Sequence, residues 1–390
     1  MITHEEALEI ILKNGCLNEK ETVSLLDCNT RILAEDIFSD MNMPPFNKSA
    51  VDGYACKNED LPGPLRILEV ISAGNMPQYD VVTGTCSKIM TGAPVPNGAD
   101  TVVMVEDTEE KDNTVVFKKD KTRSNICLAG EDITKGQKVL HKGTLIRPWH
   151  VGTMATVGVT NVPVFRKVKI GIITTGDEIL EPGQTLVEGK IRNSSAYQLM
   201  SACNALPTIP TYYGIVKDKL EDTVQTLIQT INENDIVLLT GGVSMGDFDF
   251  VPQAILNAGM KILFDSVAMQ PGRPLTYATD GKKHCFGLPG NPVSSMIQFE
   301  LSVKPLIYKL MGHPFFPTEI PLMMREEVTR RKTERKSFYP VSLNSDHTVS
   351  IVNYHGSAHI NAFTNAYGII AMNQGVDTIK KGETVYVRPL

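Results

Sequence analysis

Two adjacent carboxylates follow an apolar run in the stretch KIGIITTGDEI, residues 169–179. The run is rich in β-branched residues and ends in a Thr-Thr-Gly turn, which is typical of a buried strand that stops at Gly176. Asp177 and Glu178 would then stand at the strand end. Carboxylates in such a place could cap a helix or bind a metal ion, and this motif alone leaves both readings open.

Two further strand-like runs also end in glycine-rich turns. Backbone N–H groups exposed in such turns suit an anionic group such as phosphate. Neither the G-x-G-x-x-G motif nor the P-loop motif is present, so the usual dinucleotide and NTPase interpretations fail. The turn residues are Gly241, Gly242, Ser244 and Gly246 with Asp247 and Asp249 in LLTGGVSMGDFDF, and Pro289, Gly290, Asn291 and Pro292 in FGLPGNPVSS.

The acids at these strand ends would repel a phosphate brought to the same edge of a sheet. A bridging divalent cation removes this conflict, because Mg²⁺ binds a few carboxylates together with phosphate oxygens of a substrate. We therefore expect a phosphate-bearing substrate and Mg²⁺ at this edge. Each motif alone could still be an ordinary turn or helix cap, and the coincidence of three such turns favours the functional interpretation.

The segments around these motifs predict an α/β multidomain protein. From residue 168 to 313, strand-like runs alternate with helical ones, which indicates a central α/β domain with a mostly parallel sheet and a site at the carboxyl ends of its strands. Residues 46–142 predict a β-rich inserted domain, and residues 314–390 predict a small C-terminal β-barrel domain. Residues 1–45 and 143–167 remain for a helical or mixed N-terminal domain.

The N-terminal stretch MITHEEALEIILKN predicts a helix. Thr3 and Glu6 have the spacing of a capping box, and apolar residues follow at helical intervals. The pattern favours further helical structure to about residue 40.

Composition excludes several classes of function. The 390 residues carry a formal charge of -6, which argues against nucleic acid as the main partner. No apolar run approaches the roughly 20 residues that span a bilayer. The seven cysteines contain no C-x-x-C pair, which favours reduced thiols in the cytoplasm. The eight histidines lack zinc-site spacing, so transition-metal binding is not expected.

Taken together, the motifs resemble those of the MoeA-type molybdopterin molybdenumtransferases, which are related to the gephyrin E domain. Each motif is weak alone, but seven in the family's order cover essentially the whole chain. The motifs are MPPFNKSAVDGYA, IMTGAPVPNGADTVVMVED, AGEDI, TTGDEI, LTGGVSMGDFDF, QPGRPL and GLPGNPVSSMIQFELSVKPLI.

The resemblance implies a four-domain homodimer whose active site lies at the subunit interface and whose central domain is MogA/MoCF-like. It implies that molybdate is inserted into adenylylated molybdopterin, with Mg²⁺-assisted hydrolysis and release of AMP. A transient contact with a molybdopterin adenylyltransferase is also expected.

The resemblance also assigns roles to single residues. Glu178 and Asp249 would lie near Mg²⁺, and Ser357 and His359 match a C-terminal oxyanion-binding motif. The positions matching catalytic residues are Asp52, Thr91, Asp132, Glu178, Asp218 and Asp249. Those matching an anion-binding site are Gly241, Gly242, Ser244, Gly246, Arg273, Pro289, Gly290, Asn291 and Pro292. Because Asp52, Thr91 and Asp132 fall in the β-rich segment, they would meet the other acids only across a domain or subunit interface.

The sequence departs from the family pattern at several positions. Residues 127–129 stand where a basic residue is common before GEDI, and Arg273 replaces a frequent lysine. Residues 193–195 depart from the usual acid/Asn pattern, and Asn47 replaces a common aspartate, so these residues are left out of the predicted site. Two alternatives remain beside the transferase: a non-catalytic molybdopterin-binding scaffold, and a homologue specific for tungstate. Retention of the main acids favours catalysis.

Overall fold

The computed structural model describes residues 1–119, 121–242, 250–352 and 359–390, which form two compact units. The first unit contains Met1–Glu35, Lys142–Arg147 and Val162–Leu390, and the second contains Asp36–His141 and Pro148–Asn161. The chain therefore enters the second unit twice. The finer domain borders expected from the sequence stay predictions.

The N-terminal part of the chain contains short strands and two helices. The helices are α1 (His4–Asn14) and α2 (Pro148–Thr156). The strands are β1 (Lys20–Ser24), β2 (Ile37–Phe38), β3 (Lys48–Ser49), β4 (Gly53–Cys56), β5 (Leu65–Ile71), β6 (Thr85–Ile89), β7 (Thr101–Met104), β8 (Thr108–Lys111), β9 (Thr114–Phe117), β10 (Ile126–Cys127), β11 (Lys138–Leu140) and β12 (Asn161–Phe165).

Helix α1 begins at the predicted capping box. The backbone N–H of Glu6 donates to Thr3 Oγ1 at 3.1 Å, and the Thr3 N–H donates to Glu6 Oε2 at 2.8 Å. The expectation of helix to about residue 40 is wrong beyond Asn14, because residues 20–24 form a strand that pairs with β12. Tertiary pairing overrides a local pattern that also fits a helix.

The second unit contains a six-stranded sheet with the order β7-β4-β6-β5-β9-β8. Strand β4 is antiparallel to both β6 and β7, and its four residues are all buried. Asp52 precedes β4 directly, and Thr91 lies two residues after β6. The sheet therefore brings these two predicted site residues to one edge.

The central part of the chain alternates strands and helices, as the sequence predicts. The strands are β13 (Val168–Thr175), β14 (Ile179–Leu180), β15 (Ile191–Arg192), β16 (Thr208–Val216), β17 (Ile236–Thr240), β18 (Lys261–Ser266), β19 (Met269–Gln270), β20 (Pro274–Thr279) and β21 (His284–Leu288). The helices are α3 (Ser195–Asn204), α4 (Leu220–Glu233), α5 (Val251–Asn257), α6 (Pro292–Gln298) and α7 (Lys304–Leu310), with a π-helical turn between the last two.

Six of these strands form one sheet with the order β16-β13-β17-β21-β20-β18. The first four are parallel, and β20 and β18 continue the sheet antiparallel, which confirms the mostly parallel sheet. Alternate residues of β17 pack into different cores: Leu238 belongs to one apolar cluster, whereas Val237 and Leu239 belong to another. Both faces are thus covered, and chemistry can occur only at the edges where strands end.

A buried ion pair closes the amino-terminal edge of this sheet. Asp235 is 7% exposed and accepts from Arg166 Nη1 at 2.6 Å and Nη2 at 2.9 Å, as well as from the Lys169 N–H at 2.9 Å. Burial opposes ionisation of Asp235, but these hydrogen bonds outweigh it and hold the pKa of the carboxyl below its ordinary value.

The C-terminal part forms the predicted small barrel. Its strands are β22 (Ile320–Met324), β23 (Val328–Thr329), β24 (Lys336–Leu343), β25 (Thr348–Ile351), β26 (Gly368–Met372), β27 (Thr378–Ile379) and β28 (Thr384–Pro389). The order β24-β25-β22-β28-β26 closes on itself through pairing of β24 with β26, and β19 joins the outer side of β24. Within the described ranges, no helix has both the length and the apolar character needed to cross a membrane.

One buried histidine makes the stability of the first unit depend on pH. His284 is fully buried with Nδ1 3.0 Å from Tyr277 Oη, and burial lowers its pKa from 6.5 to about 4. The unfolded chain therefore takes up this proton first as the pH falls. The stability contributed by neutral His284 is complete above pH 6.5 and is lost as the pH falls toward 4.

We expect His284 to lower the free energy of unfolding by about 2 kcal/mol between pH 7.5 and pH 5, as the linkage between pKa and stability requires. Urea unfolding followed by circular dichroism at both pH values measures this difference. His284→Gln should lower stability at both pH values but flatten its pH dependence. An unchanged pH dependence in the variant would show that another group is responsible.

Candidate active site

A cleft of about 1110 Å³ lies in the first unit at the carboxyl ends of the parallel strands. We call it the strand-end cleft. It is lined by residues that follow β13, β17 and β21, by residues 270–274, and by parts of the C-terminal barrel. Its lining includes Thr174, Thr175, Glu178, Arg192, Asn193, Ser195, Thr240, Gly241, Gly242, Arg273, Pro289, Gly290, Asn291, Pro292, Ser294, Arg335 and Tyr339.

The turn after β17 requires glycine. Gly241 has a φ of +96°, and a Cβ at this position would lie 2.5 Å from the carbonyl oxygen of Thr175. Its N–H donates to the Leu288 carbonyl at 3.2 Å, so the turn is fixed against the end of β21. Gly242 follows with a φ of +59°. The backbone therefore approaches the neighbouring strand end more closely than any side chain would allow.

Two serine hydroxyls hold the turn after β21. Ser195 Oγ donates to the Gly290 carbonyl at 2.9 Å, and Ser295 Oγ donates to the Asn291 carbonyl at 3.0 Å. Ser295 also contacts the Pro289 carbonyl. These hydrogen bonds hold the carbonyl groups of residues 289–291 in place. The predicted anion-binding turn at residues 289–292 therefore has a fixed shape at the cleft wall.

The two acids of the TTGDE motif are directed to different places. Glu178 lines the strand-end cleft, and a Cβ on Gly176 would lie 2.7 Å from Glu178 Oε2, so the carboxylate folds back over the end of β13. Among the described residues, Glu178 has no ion-pair partner within 4.0 Å. Asp177 instead faces Asp218: the Asp177 N–H donates to Asp218 Oδ2 at 3.1 Å, and the Asp218 N–H to Asp177 Oδ1 at 3.4 Å.

The alternative role of Asp177 or Glu178 as a helix cap is wrong, because strand β14 and not a helix follows the turn. Asp218, a predicted catalytic residue, is held in the loop after β16 by this exchange of hydrogen bonds with Asp177. It does not occur in the described lining of the cleft. Its predicted role stays a prediction.

Within the described part of the cleft lining lie three arginines, of which the sequence predicted only Arg273. Arg273 follows Gly272, whose φ is +92° and whose carbonyl accepts from the buried Gln298 amide. Arg192 comes from β15, and Arg335 directly precedes β24 of the barrel. Arg192 directly precedes residues 193–195, which the family pattern covers, so its sequence position gives a signal. No local pattern points to Arg335.

The predicted residues of the second unit lie on its surface. The Asp52 carboxylate accepts from both the N–H and the hydroxyl of Thr91, each at 2.7 Å, and these bonds lower the pKa of Asp52. Both residues and Asp132 are exposed in their unit. Asp52 is thus an ionised, pre-oriented carboxylate, and Asp132 is fixed by its N–H, which donates to the Met43 carbonyl at 3.0 Å.

Some predicted site residues lie outside the described part of the chain. These are Ser244, Gly246, Asp247, Asp249 and Ser357. His359 is described and exposed, and it directly precedes a 3₁₀ turn whose first residue, Ile360, lines the cleft.

The chain matches three known family models along most of its length. Residues 2–158 match the MoeA N-terminal region (domain I and II), residues 171–309 match the probable molybdopterin binding domain, and residues 325–390 match the MoeA C-terminal region (domain IV). The strand-end cleft lies mainly in the second of these regions and receives Arg335 and Tyr339 from the third.

Relatives of known name cover nearly the whole chain. A molybdopterin molybdenumtransferase of Staphylococcus epidermidis is 34% identical over 397 residues, covering 99% of this chain and 95% of the relative. One from Staphylococcus aureus is 33% identical over 392 residues, covering 98% and 94%. The crystal structure of the molybdopterin biosynthesis moeA protein of Pyrococcus horikoshii superposes with a TM-score of 0.88 at 29% identity, covering 100% of both chains.

Gly241→Ala should destabilise the protein more than an alanine at an open glycine. Gly259 is the matched control, because its φ of +83° is also positive but a Cβ there would meet nothing within 4 Å. Gly259→Ala should cost about 1 kcal/mol for the left-handed backbone, and Gly241→Ala a further 1–3 kcal/mol or so for the contact with Thr175. Thermal and urea unfolding compare the two. Equal losses would contradict the close approach described here.

Proposed function

The chain belongs to the family of MoeA-type molybdopterin molybdenumtransferases, and on that basis we propose that it inserts molybdate into adenylylated molybdopterin with Mg²⁺-dependent release of AMP. The observation that carries the proposal is the composition of the strand-end cleft. Its described lining combines two glycine-rich turns, three arginines and the carboxylate of Glu178. A substrate with several negative charges and a bound cation satisfies all three features together.

The arginines and the turns would bind the anionic groups. A guanidinium group offers paired N–H donors that match the oxygens of phosphate or of an oxyanion such as molybdate. The turn at residues 289–292 is held by Ser195 and Ser295, so it offers a shape that does not have to be organised when substrate arrives. This preorganisation supports hydrolysis, in which water adds across the phosphate–phosphate link and AMP leaves.

The donor set of the cleft fits Mg²⁺. This ion binds through one or two carboxylates plus phosphate oxygens of the substrate and retains several waters. Glu178 provides a carboxylate without an ion-pair partner among the described residues, and Asp249 is the second ligand expected from the family pattern. When bound, Mg²⁺ would neutralise negative charge on the phosphate oxygens.

We further propose a homodimer in which one active site uses residues of both subunits. Asp52, Thr91 and Asp132 support this, because they form an exposed and pre-oriented set in the second unit. A carboxylate that is oriented but faces solvent is suited to act on a ligand held by another surface. A molybdopterin adenylyltransferase in transient contact would supply the adenylylated substrate.

Glu178→Gln should lower the rate of AMP release at saturating Mg²⁺ by about 100-fold or more, because a carboxylate ligand of Mg²⁺ and its charge are lost beside the reacting phosphate. Asp177→Asn is the matched control and should keep most of the activity, since Asp177 does not occur in the described lining of the cleft and an asparagine Oδ1 can still accept from the Asp218 N–H. AMP release from adenylylated molybdopterin is measured by chromatography, with molybdate and with tungstate. Wild-type rates for Glu178→Gln would refute the assigned role. A wild-type protein that binds the substrate without releasing AMP would indicate a scaffold.

Mixing two inactive variants tests the shared site. Co-expressed Asp52→Asn and Glu178→Gln chains that pair at random should regain about one quarter of the wild-type activity, because half of the dimers are mixed and each contains one intact site. The two variants purified separately and assayed alone are the controls. Absence of regained activity, with mixed dimers verified by mass spectrometry, would mean that each site belongs to one chain.

A further inference from the structure

A chain of hydrogen bonds lies beside the strand-end cleft and joins three elements to the residue that follows β14. Asn193, which is 3% exposed, donates from Nδ2 to Thr174 Oγ1 at 3.0 Å and to Tyr212 Oη at 2.8 Å. Its Oδ1 accepts from the Ala196 N–H at 3.2 Å. Tyr212 in turn donates to Glu181 Oε1 at 2.8 Å. The amide of Asn193 thus joins β13, β16 and the start of α3.

The direction of these hydrogen bonds is fixed by Glu181. An ionised carboxylate can only accept, so Tyr212 must donate its proton to Glu181 and present its oxygen as an acceptor. Tyr197 also donates to Glu181, at 2.9 Å to Oε2. Burial, and then the bond to Glu181, raise the pKa of Tyr212, so the phenol keeps its proton. Position 193 therefore needs a side chain that donates to both Tyr212 and Thr174 and accepts from Ala196.

This network holds the backbone that carries Glu178. Strands β14 and β15 pair in parallel, and the Ile191 N–H donates to the Glu178 carbonyl at 2.9 Å. Asn193 directly follows β15, and its own N–H donates to the Leu180 carbonyl at 2.8 Å. Glu181 directly follows β14 and is held by the two tyrosines. Hydrogen bonds thus hold the β14–β15 pair at its carboxyl-terminal end, while Glu178 directly precedes β14 at the other end.

We propose that Asn193, Tyr212 and Glu181 are positioning residues for the transferase reaction, acting by holding the β14–β15 pair so that Glu178 stays in the strand-end cleft. The inference rests on the proposed function, in which Glu178 acts at the reacting phosphate. It adds that an amide is required at position 193 because of the carboxylate at position 181. An error of about 1 Å in the position of an active-site group can lower the rate by about 10²-fold.

The same three residue types occur again on the opposite face of the sheet, where Tyr213 and not Tyr212 packs, and provide a matched control. Asn234, which is 2% exposed, donates from Nδ2 to Tyr213 Oη at 2.8 Å, and Tyr213 donates to Glu233 Oε2 at 2.6 Å. Asn234 precedes β17, and none of Asn234, Tyr213 and Glu233 occurs in the described lining of the cleft. An identical change at Asn234 thus has the same local chemistry without the link to Glu178.

Asn193→Asp is the informative variant. At pH 8 the new carboxylate and Glu181 compete for the single proton of Tyr212, so the network breaks. We expect kcat for AMP release to fall by about 10- to 100-fold while KM changes less than about threefold. At low pH the introduced carboxyl group becomes protonated, and its single O–H can donate to Tyr212, which restores one of the two hydrogen bonds that the amide donates. The ratio of variant to wild-type kcat should therefore rise as the pH falls from 8 to 5.5.

A second substitution should restore the network with its direction reversed. In Asn193→Asp/Glu181→Gln, Tyr212 donates to the introduced carboxylate at position 193 and accepts from the introduced amide at position 181. The carbonyl oxygen of that amide accepts from Tyr197. We expect kcat to return to within about threefold of the Glu181→Gln single variant, a coupling that a double-mutant cycle measures. Asn234→Asp should lower the melting temperature and leave kcat of the folded enzyme unchanged.

Crystal structures of wild type, Asn193→Asp and the double variant give a readout that does not need turnover. Glu178 and the β14–β15 pair should be displaced in Asn193→Asp and return in the double variant. The inference is overturned if Asn193→Asp has wild-type kcat at every pH, if the double variant is as impaired as Asn193→Asp, or if Glu178 does not move. A wild-type enzyme that releases no AMP would contradict the proposed function, and the crystal structures would still decide the role of the network.

Discussion

The parallel pairing of β13 with a neighbour on each side is the constraint on which the rest of the site depends. Parallel strands end at the same edge, and apolar clusters on both faces leave that edge as the place where polar groups can gather. The chain must then turn after β13 and after β17 within the same small volume. Gly241 makes this possible, because a Cβ at this position would collide with the end of β13.

Charged side chains have different roles at the two edges of this sheet. At the amino-terminal edge, Asp235 is paired with Arg166, so its charge is compensated within the fold. At the carboxyl edge, Glu178 has no such partner among the described residues, and the nearby arginines line an open cleft. Because Glu178 is exposed, water solvates its charge in the free protein, and the carboxylate stays available to a ligand. The asymmetry between the edges therefore points to function at one edge and to stability at the other.

Much of the fold and part of the site could be predicted from sequence, because strand ends and glycine turns are local signals. The α/β sheet, the capping box of α1 and the placement of Gly241 all follow from local spacing. Strand β1 was predicted wrongly as helix, since its pairing with β12 comes from residues distant in sequence. Arg335 and the network of Asn193 were missed for the same reason. Their role depends on contacts between elements, and the residue type at Asn193 departs from the family pattern.

The mixture of charges in the strand-end cleft limits what kind of substrate it can bind. A single small anion would be attracted by the arginines but repelled by Glu178. A single cation would be attracted by Glu178 but repelled by the arginines. A ligand with phosphate groups and an associated divalent cation presents both signs at once, so each protein charge finds a complementary one. Because the turns at Gly241 and residues 289–292 are already fixed by hydrogen bonds, little reorganisation is needed on binding. The protein must then keep its charged side chains accurately placed. This applies to Glu178, and therefore also to the β14–β15 pair that holds it.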